Sequence, residues 1–543
     1  MLKRQHAMST ARPFTAAIVA VAGPFCFNDG VLVYSTDQQQ VRILDTRNPG
    51  ATEIVIDYVR ILEGSWGKSN MPVTPVNYSH GILALVGRPT MSGLKMSKIL
   101  YVVDVRKRQL IGSLSFQSPH IPWVRNNENY LVFGARSELV IEVLSRLWAL
   151  RVMDLQTGQW NETKHILYTF GEGDVGSNID FEILNGYVYA TAITYDQETT
   201  RSTYSVRRFS LGAETVAVNM EATRAEDMFR LNSGDRACDD RYASIKIEQD
   251  DVTGEPMIRE QRREWLISCG SDFPRACYRQ RIIFPRPRRS ASSDSSTSPS
   301  THSVTAGTST PPPNSPGFSH QAARTVHPIA SSDGRSEKPP RLQYHAAAVF
   351  AKGYHTPSQT FLDLVRDPRP NGEPELLRIR TISAGPHHRG GANAKTKTDA
   401  DNPAPPSNTT SFWPRSSGVF SRQEDAFLRI LNPPMRSQSR TIESVFDDES
   451  ATLVYAVEPS RDVYGVPQTR FLVLVSFDPR VQLAGLPRRC NKGRRAAAVT
   501  TDVAETEAPP WDDVGPWRIE RAAYLSIAQN QFCRTTFGYD FSY

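Results

Sequence analysis

The sequence has few of the features that identify an enzyme or a metal protein. Its six cysteines include no Cys-x-x-Cys pair, and no histidine lies at metal-ligand spacing from them, so we expect reduced thiols and no metal. A Walker loop, a Rossmann fingerprint, a Gly-x-Ser-x-Gly elbow and a His-Glu-x-x-His helix are all missing. No residue is therefore predicted to be catalytic, cofactor-binding or metal-ligating, and we expect the chain not to be an enzyme.

Long apolar runs are also missing. The stretch from Ala16 to Phe27 is about a dozen residues long and contains Gly23 and Pro24, whereas a membrane-spanning helix needs about 20 residues. The basic residues before Arg12 are not followed by a small-residue cleavage site, so no secretory signal is predicted. We expect no membrane contact and an intracellular location, cytoplasmic, nuclear or both.

Little of the net positive charge lies on the predicted folded segments. The net charge of +6 owes much to arginines and lysines at 286–289 and 488–495, which stand beside proline and serine. A nucleic-acid-binding protein would instead concentrate basic and aromatic residues on a folded face. Nucleic acid is therefore not an expected partner, and a solvated linker is favoured over nuclear targeting or loose anion contact for these clusters.

Three segments lack the apolar residues needed to offset the entropy of ordering them. They divide the chain without dividing the domain, since the segments between them share one strand pattern. The predicted organisation is a disordered basic N-terminus at 1–12, propeller-like segments at 13–285, 341–382 and 412–487, disordered insertions at 286–340 and 383–411, a disordered linker at 488–510, and a closing segment at 511–543.

The segments between the insertions repeat a unit of two short apolar runs with a period of two, which predicts β-strand pairs. The units open at Gly30, Gly81, Asn129 and Gly186, roughly 50 residues apart, a spacing within the range of propeller blades. Weaker units begin near 241, 344 and 450. The sequence thus predicts an all-β, β-propeller-like fold of about six to eight four-stranded blades.

Aspartates close the second run of three units, at Asp45, Asp104 and Asp154. An aspartate followed by glycine or a basic residue suits a tight turn, because its carboxylate accepts hydrogen bonds from the backbone amides just ahead. We therefore interpret these three as turn residues, not as catalytic carboxylates. Helix is expected to be minor, with one short connecting helix predicted over 221–231.

Other possible sites are weak. Asp180 and Glu182 are two residues apart, but nothing in the sequence fixes them as an acid–base pair. His387 and His388 lie in a segment rich in glycine and proline without further ligands at fixed spacing, so a surface loop is favoured over a metal site. The eight tryptophans are spread over all units, which favours core packing, with a recognition face as the alternative.

Several runs occur in an order that resembles a known family. They begin with RPFTAAIVAVAGPFCFNDGVLVYSTDQQQVRILDTRN and continue through WVRNNENYLVFGARSE, FEILNGYVYA, DDRYASIKIEQDDVTGEPMIREQRREWLI, LVYAVEP and RFLVLVSFDP. This series, from about Arg12 to Tyr543, resembles the C-terminal region of fungal F-box domain proteins. In that family a helical F-box of about 45 residues precedes this region and docks on the Skp adaptor of a cullin-based ubiquitin ligase.

The resemblance implies a non-catalytic module that recognises a protein substrate for an SCF-type (Skp–cullin–F-box) ubiquitin ligase. The segment from Met1 to Arg12 is too short for an F-box, and Leu486-Pro487 lies in a basic linker. The Skp adaptor and the cullin are therefore expected as partners only if an F-box lies upstream. A stand-alone β-propeller interaction scaffold is the alternative, and a propeller hydrolase or lectin is a third possibility.

Overall fold

The computed structural model contains mainly β-strands. It describes residues 2–36, 39–48, 52–66, 71–88, 97–118, 120–137, 147–161, 165–167, 170, 175, 178–196, 201–211, 220–231, 236–266, 275–285, 349–367, 376–383, 409–413, 442–457, 470–481, 483, 516–521 and 525–526. The predicted insertion at 286–340 and the predicted linker at 488–510 lie outside these residues, as does most of 383–411.

The first part of the chain contains two helices and thirteen strands. The helices are α1 (Leu2–Ser9) and α2 (Tyr58–Trp66). The strands are β1 (Thr15–Ala22), β2 (Phe25–Asn28), β3 (Val31–Ser35), β4 (Gln40–Asp45), β5 (Thr52–Asp57), β6 (Val73–Ser79), β7 (Ile82–Gly87), β8 (Ser97–Asp104), β9 (Gln109–Gln117), β10 (Trp123–Asn126), β11 (Tyr130–Ser137), β12 (Leu147–Asp154) and β13 (His165–Leu167).

The remaining described elements are strands, with one 3-10 turn at Thr356–Ser358. They are β14 (Ile179–Leu184), β15 (Tyr187–Asp196), β16 (Arg201–Ser210), β17 (Glu221–Ala222), β18 (Phe229–Leu231), β19 (Arg236–Gln249), β20 (Pro256–Leu266), β21 (Arg275–Arg281), β22 (Val349–His355), β23 (Thr360–Asp367), β24 (Leu376–Ser383), β25 (Thr409–Trp413), β26 (Ser444–Asp447), β27 (Thr452–Val457), β28 (Arg470–Ser476), β29 (Trp517–Arg521) and β30 (Leu525–Ser526).

These strands form seven sheets, which we number by their first strand. The strand orders are β26-β27-β28-β1-β30 in sheet 1, β2-β3-β4-β5-β29 in sheet 2, β6-β7-β8-β9 in sheet 3, β10-β11-β12-β13 in sheet 4, β14-β15-β16-β17 with β18 also on β16 in sheet 5, β19-β20-β21 in sheet 6 and β22-β23-β24-β25 in sheet 7. The predicted all-β propeller of six to eight blades is confirmed.

The N-terminal strand β1 completes sheet 1, whose other main strands come from the C-terminal part of the chain. It pairs antiparallel with β28, and Ile18 lies opposite Val473. Sheet 1 is therefore built from strands of the N-terminal and the C-terminal parts of the chain.

Tight hairpin turns occur at the three glycines that open predicted units. Asp29-Gly30, His80-Gly81 and Asn185-Gly186 each join two paired strands, and all six residues have positive φ angles. Two central residues with positive φ define the type I′ turn, which matches the twist of the flanking strands. The fourth sheet uses Asn127 instead, whose Oδ1 accepts hydrogen bonds from the amides of Asn129 and Tyr130 at 2.9 and 2.8 Å.

A hydrogen bond ties the end of the third strand to the first turn in five sheets. The donors are the amides of the residues one position after the third strand, and the acceptors are carbonyls of the first turn. The pairs are Thr46 to Gly30 at 3.0 Å, Val105 to Gly81 at 2.9 Å, Leu155 to Asn129 at 2.8 Å, Leu211 to Gly186 at 3.0 Å and Phe477 to Ala451 at 3.0 Å. Sheets 1 to 5 therefore share this bond.

The chain divides into two compact units, each with its own core. Unit 1 comprises Met1–Phe170, Trp265–Arg275 and His327–Tyr543, and unit 2 comprises Gly171–Glu264 and Ala276–Val326. Unit 1 contains clusters of buried aliphatic residues, for example Leu32, Leu472 and Leu474 between sheets 1 and 2. Unit 2 contains sheet 5 and nearly all of sheet 6, with a smaller cluster around Tyr204 and Ile247.

Three predictions about local structure are wrong. Leu2–Ser9 is a helix and not a disordered N-terminus, because Met8 is fully buried in unit 1 and Arg4 donates to the Asp478 carboxylate. Residues 221–231 form β17, a turn and β18, since both strands pair with β16. The insertion predicted at 383–411 is too wide at both ends, where β24 includes Ser383 and β25 begins at Thr409.

Helix α2 was not predicted. Tyr58 and Leu62 are buried in the core of unit 1 at helical spacing. The carboxylate of Asp57 accepts a hydrogen bond from the Arg60 amide at 3.4 Å, as an N-cap does. That aspartate before an apolar pair at i and i+4 is the signal that sequence reasoning missed.

Candidate recognition surface

A cluster of aromatic residues around one arginine lies on unit 2, which we call the aromatic patch. It consists of Tyr187 and Tyr189 on β15, Arg208 on β16, and Phe284 just after β21. Sheet 5 therefore supplies three of these residues, and the end of sheet 6 supplies one.

Strand register brings the patch together. The Asn185-Gly186 turn sets the register of β15 on β14, and the next pairing places Tyr189 directly opposite Arg208. Alternate residues of a strand lie on the same face, so Tyr187 is on the face of Tyr189. Arg208 in turn lies opposite Glu221 of β17.

The guanidinium of Arg208 contacts two aromatic rings. It lies 4.1 Å from the ring centroid of Phe284 and 4.8 Å from that of Tyr187, within the distance of a cation–π contact. Its Nη2 and Nε both donate to Glu221 Oε2, at 2.7 and 3.1 Å. Burial opposes its charge, but the hydrogen bonds that Arg208 donates to Tyr189 and Glu221 outweigh burial and raise the pKa of Arg208.

The patch is partly exposed. The Arg208 side chain is 24% exposed, whereas Tyr189 is buried in the core of unit 2. Phe284 and Tyr187 are half-buried. Tyrosine and arginine are among the residues that dominate the binding energy of protein interfaces, especially when their own rotamers are fixed. The patch is therefore suited to contact another protein.

A buried ion-pair network, which we call the Glu260 network, joins sheets 5 and 6 within unit 2. Tyr204 Oη donates to Glu260 Oε2 at 2.6 Å, and Arg230 Nη2 donates to the same oxygen at 3.1 Å. Arg262 Nη1 lies 3.6 Å from the other carboxylate oxygen. The guanidinium of Arg230 also lies 3.7 Å from the ring centroid of Tyr278.

The Glu260 network is built for structure and not for proton transfer. Both carboxylate oxygens of Glu260 contact arginine, and its side chain is 4% exposed. Burial first, and then the charge of Glu260, raise the pKa of Tyr204, so that phenol stays protonated and remains a donor. We interpret the network as the tie that fixes the two sheets carrying the aromatic patch.

The predicted turn aspartates occupy turns. Asp45 Oδ1 accepts from the amide of Arg47 at 2.9 Å, and Asp104 Oδ1 accepts from Lys107 at 2.9 Å. Asp154 Oδ1 accepts from two amides, at positions 156 and 157. The interpretation of all three as turn residues is confirmed.

Asp180 and Glu182 each accept a hydrogen bond from a backbone amide. Asp180 is buried, and its Oδ2 accepts from the amide of Ile247 at 2.6 Å, which ties β14 to β19. The Oε1 of Glu182 accepts from the amide of Ile183. Both carboxylates thus serve the backbone of unit 2.

Two cysteines have described side chains, Cys26 and Cys277, and both are free thiols. Burial raises the pKa of each to about 12, so neither is a reactive thiolate. Among the described residues, no group of three or more His, Cys, Asp or Glu side chains is placed to hold a metal ion. His387 and His388 lie outside the described residues.

Most of the described tryptophans belong to the core. Trp123, Trp148, Trp413 and Trp517 are buried, as the core interpretation predicted. Trp160 is half-buried, and its Nε1 donates to the carbonyl of Ser113 at 3.0 Å. None of these is part of the aromatic patch.

Comparison with known proteins adds fold-level similarity only. No protein-family model and no curated protein matches the chain. Solved structures that are similar include the WD40 domain of SCAP from fission yeast (8% identity, 87% of this chain and 98% of that chain, TM-score 0.34) and the Dos1 propeller (10%, 84% and 77%, TM-score 0.28). Another is the β-propeller domain of the Trilobed protease from Pyrococcus furiosus (10%, 50% and 83%, TM-score 0.23).

The propeller fold is consistent with a protein-interaction scaffold. Within the described part of the chain, no helix is both long enough and apolar enough to cross a membrane.

Sequence reasoning missed the aromatic patch. Tyr187, Val188 and Tyr189 alternate as in a strand with one aromatic face, and this was the available signal. Arg208 and Phe284 are 76 residues apart, however, so only the register of two sheets brings them into contact.

Proposed function

We propose that the chain is a non-catalytic module that binds another protein through the aromatic patch. The observation that carries this proposal is the guanidinium of Arg208, which contacts the half-buried rings of Phe284 and Tyr187. The patch has the composition of an interface hot spot, and the Glu260 network fixes its position before a partner arrives. The described carboxylates discussed above bond to arginines or to backbone amides, which also supports a binding function over an enzymatic one.

We further propose that the bound partner is a substrate of an SCF-type ubiquitin ligase. This proposal rests on the series of runs that resembles the C-terminal region of fungal F-box proteins. The alternative is a stand-alone interaction scaffold without a ligase. Cytoplasmic or nuclear location belongs to both proposals.

The binding function is tested by affinity purification of the full chain with quantitative mass spectrometry. Phe284→Ala should lower the recovery of at least one partner, because truncation of a hot-spot anchor costs about 2 kcal/mol or more, roughly 30-fold in Kd. Ile121→Ala is the matched control, since Ile121 is an apolar residue of unit 1 that is 60% exposed. Equal recovery of every protein by wild type and Phe284→Ala would contradict the proposed surface.

The ligase proposal has its own test with purified Skp adaptor. The 543-residue chain should not co-purify with the adaptor, because the family docks through a helical F-box. A version extended by an in-frame F-box recovered from the upstream transcript should bind. An upstream stop codon would favour the scaffold alternative, and capture of the adaptor by the 543-residue chain would contradict its assignment as the recognition half alone.

A further inference from the structure

Sheet 6 has a free edge in the described structure. The other six sheets have four or five strands, whereas sheet 6 has three. Among the described residues, no strand pairs with the outer side of β21. A strand edge of this kind presents unpaired backbone donors and acceptors, which an extended peptide can pair with.

The hydrogen-bonding direction of β21 follows from the residue after it. The amide of Ile282 donates to the Pro256 carbonyl of β20 at 3.1 Å, so this amide points inward. Because the backbone groups of successive residues alternate in direction along an antiparallel strand, the amides of Arg281 and Arg279 point to the outer edge. Backbone groups for a fourth strand are therefore in place.

The charged side chains of β21 are all positive. The seven residues of β21, RACYRQR, contain three arginines and no acidic residue. Arg279 Nε donates to Glu248 at 2.8 Å, and Arg281 pairs with Glu255 of the neighbouring turn. These acids belong to β19 and to the residue that precedes β20, on the inner side of β21. The two arginine side chains are 30% and 62% exposed, and each guanidinium has five donors.

We propose that the outer edge of β21 binds an extended segment of a partner protein that has acidic residues at alternate positions. Residues two apart on the added strand lie on one face, where their carboxylates reach Arg279 and Arg281. Opposite charges across neighbouring strands stabilise the pairing by about 0.2–1 kcal/mol per pair. Backbone hydrogen bonds give the affinity, and the arginines select the acidic sequence.

Charge disfavours two other occupants. A second copy of β21 paired antiparallel with the first would bring arginines opposite arginines, which is destabilising. The chain's own residues 286–348 contain only three acids, Asp294, Asp333 and Glu337, and no two of them are two residues apart. A partner segment fits the edge better than either.

This inference rests on the proposed protein-binding function and adds that the partner binds as an extended acidic segment. The probe is a fluorescein-labelled eight-residue peptide of alternating glutamate and valine, titrated with the full chain and followed by fluorescence anisotropy. We expect saturable binding to wild type, no binding of the peptide with lysine in place of glutamate, and slower hydrogen exchange at 275–281 when the acidic peptide is bound.

The decisive variant is Arg279→Pro, with Arg279→Ala as its control. Proline removes an outward amide that has no partner strand among the described residues, and proline is tolerated on edge strands. Both variants lose the ion pair with Glu248, but only proline blocks the edge, so Arg279→Pro should weaken binding at least tenfold more than Arg279→Ala. If Arg279→Pro does not fold, Arg281→Pro tests the same edge at an exposed position.

Equal affinity of the proline and alanine variants, or of the acidic and basic peptides, would overturn the inference. So would binding that appears only after residues 286–340 are deleted, because the chain's own segment would then occupy the edge. The proposed function has a separate readout in the loss of a partner by Phe284→Ala. If that loss occurs while the peptide fails to bind, the edge proposal is wrong and the binding function stands.

Discussion

The Glu260 network predicts a large difference between two carboxylates that both bind arginine in unit 2. Glu260 is almost fully buried between Arg230 and Arg262, whereas Glu221 is 44% exposed beside Arg208. Removal of a buried partner leaves uncompensated charge in a poorly solvated site, while water replaces a partner lost at the surface. Glu260→Ala should therefore be much more destabilising than Glu221→Ala.

The expected magnitudes follow from burial. Loss of one member of a buried ion pair costs about 3–5 kcal/mol. Glu260→Ala leaves Arg230 and Arg262 without the carboxylate between them and leaves the Tyr204 hydroxyl without its acceptor. An exposed pair contributes about 0–1 kcal/mol, so Glu221→Ala should cost less than about 1 kcal/mol.

Hydrogen exchange measures this loss within unit 2. Peptides covering 201–211 and 256–262 should exchange about two to three and a half orders of magnitude faster in Glu260→Ala, because 1.4 kcal/mol corresponds to a factor of ten. In Glu221→Ala the same peptides should change by less than about tenfold. Equal effects of the two substitutions would refute the assignment of Glu260 as the tie between sheets 5 and 6.

Two smaller predictions concern the turns of unit 1. Gly158→Ala should destabilise more than Gly81→Ala, although both glycines have positive φ and each substitution costs about 1 kcal/mol in the left-handed conformation. A Cβ at Gly158 would lie 2.6 Å from the Ile111 carbonyl oxygen, whereas at Gly81 it meets only the movable Arg106 side chain. In chemical denaturation, the free energies of unfolding of the two variants should differ by about 1–3 kcal/mol. Equal denaturation midpoints would contradict this prediction. Asp154→Ala, which loses two backbone hydrogen bonds, should cost about 1 kcal/mol in the same assay, and Asp154→Asn should retain most of that stability.

Local signals were sufficient to predict the fold because several sheets repeat similar turn chemistry. In three sheets a polar residue followed by Gly30, Gly81 or Gly186 supplies two positive φ angles, and in three sheets the aspartate that ends the third strand supplies an acceptor for the next turn. These requirements involve residues within a few positions of each other, so they are visible in sequence. The failures at α1 and at 221–231 share a different cause, since burial of Met8 and pairing with β16 are tertiary effects.

The aromatic patch and the Glu260 network were beyond sequence reasoning for the same tertiary cause. The acceptor of the Tyr204 hydroxyl is 56 residues away at Glu260. In the sequence, β20 contains an Arg-Glu-Gln-Arg run from Arg259 to Arg262, which has the composition of a solvated strand. All four residues are buried. Tyr204 and Arg230 of sheet 5 contact Glu260, and Glu248 of β19 pairs with Arg259, and no local pattern reveals these partners.

The polar character of the contact between sheets 5 and 6 has a consequence for recognition. Aliphatic packing is not directional, whereas the hydrogen bonds on Glu260 require one relative position of β16 and β20. The ring of Tyr278, which contacts the guanidinium of Arg230, belongs to β21, and Phe284 lies just after that strand. A shift of sheet 6 would therefore also move Phe284 away from Arg208. Glu260→Ala should therefore weaken partner binding even at temperatures where the chain stays folded. A variant that loses exchange protection at 256–262 but retains full partner recovery would show that the network stabilises unit 2 without positioning the aromatic patch.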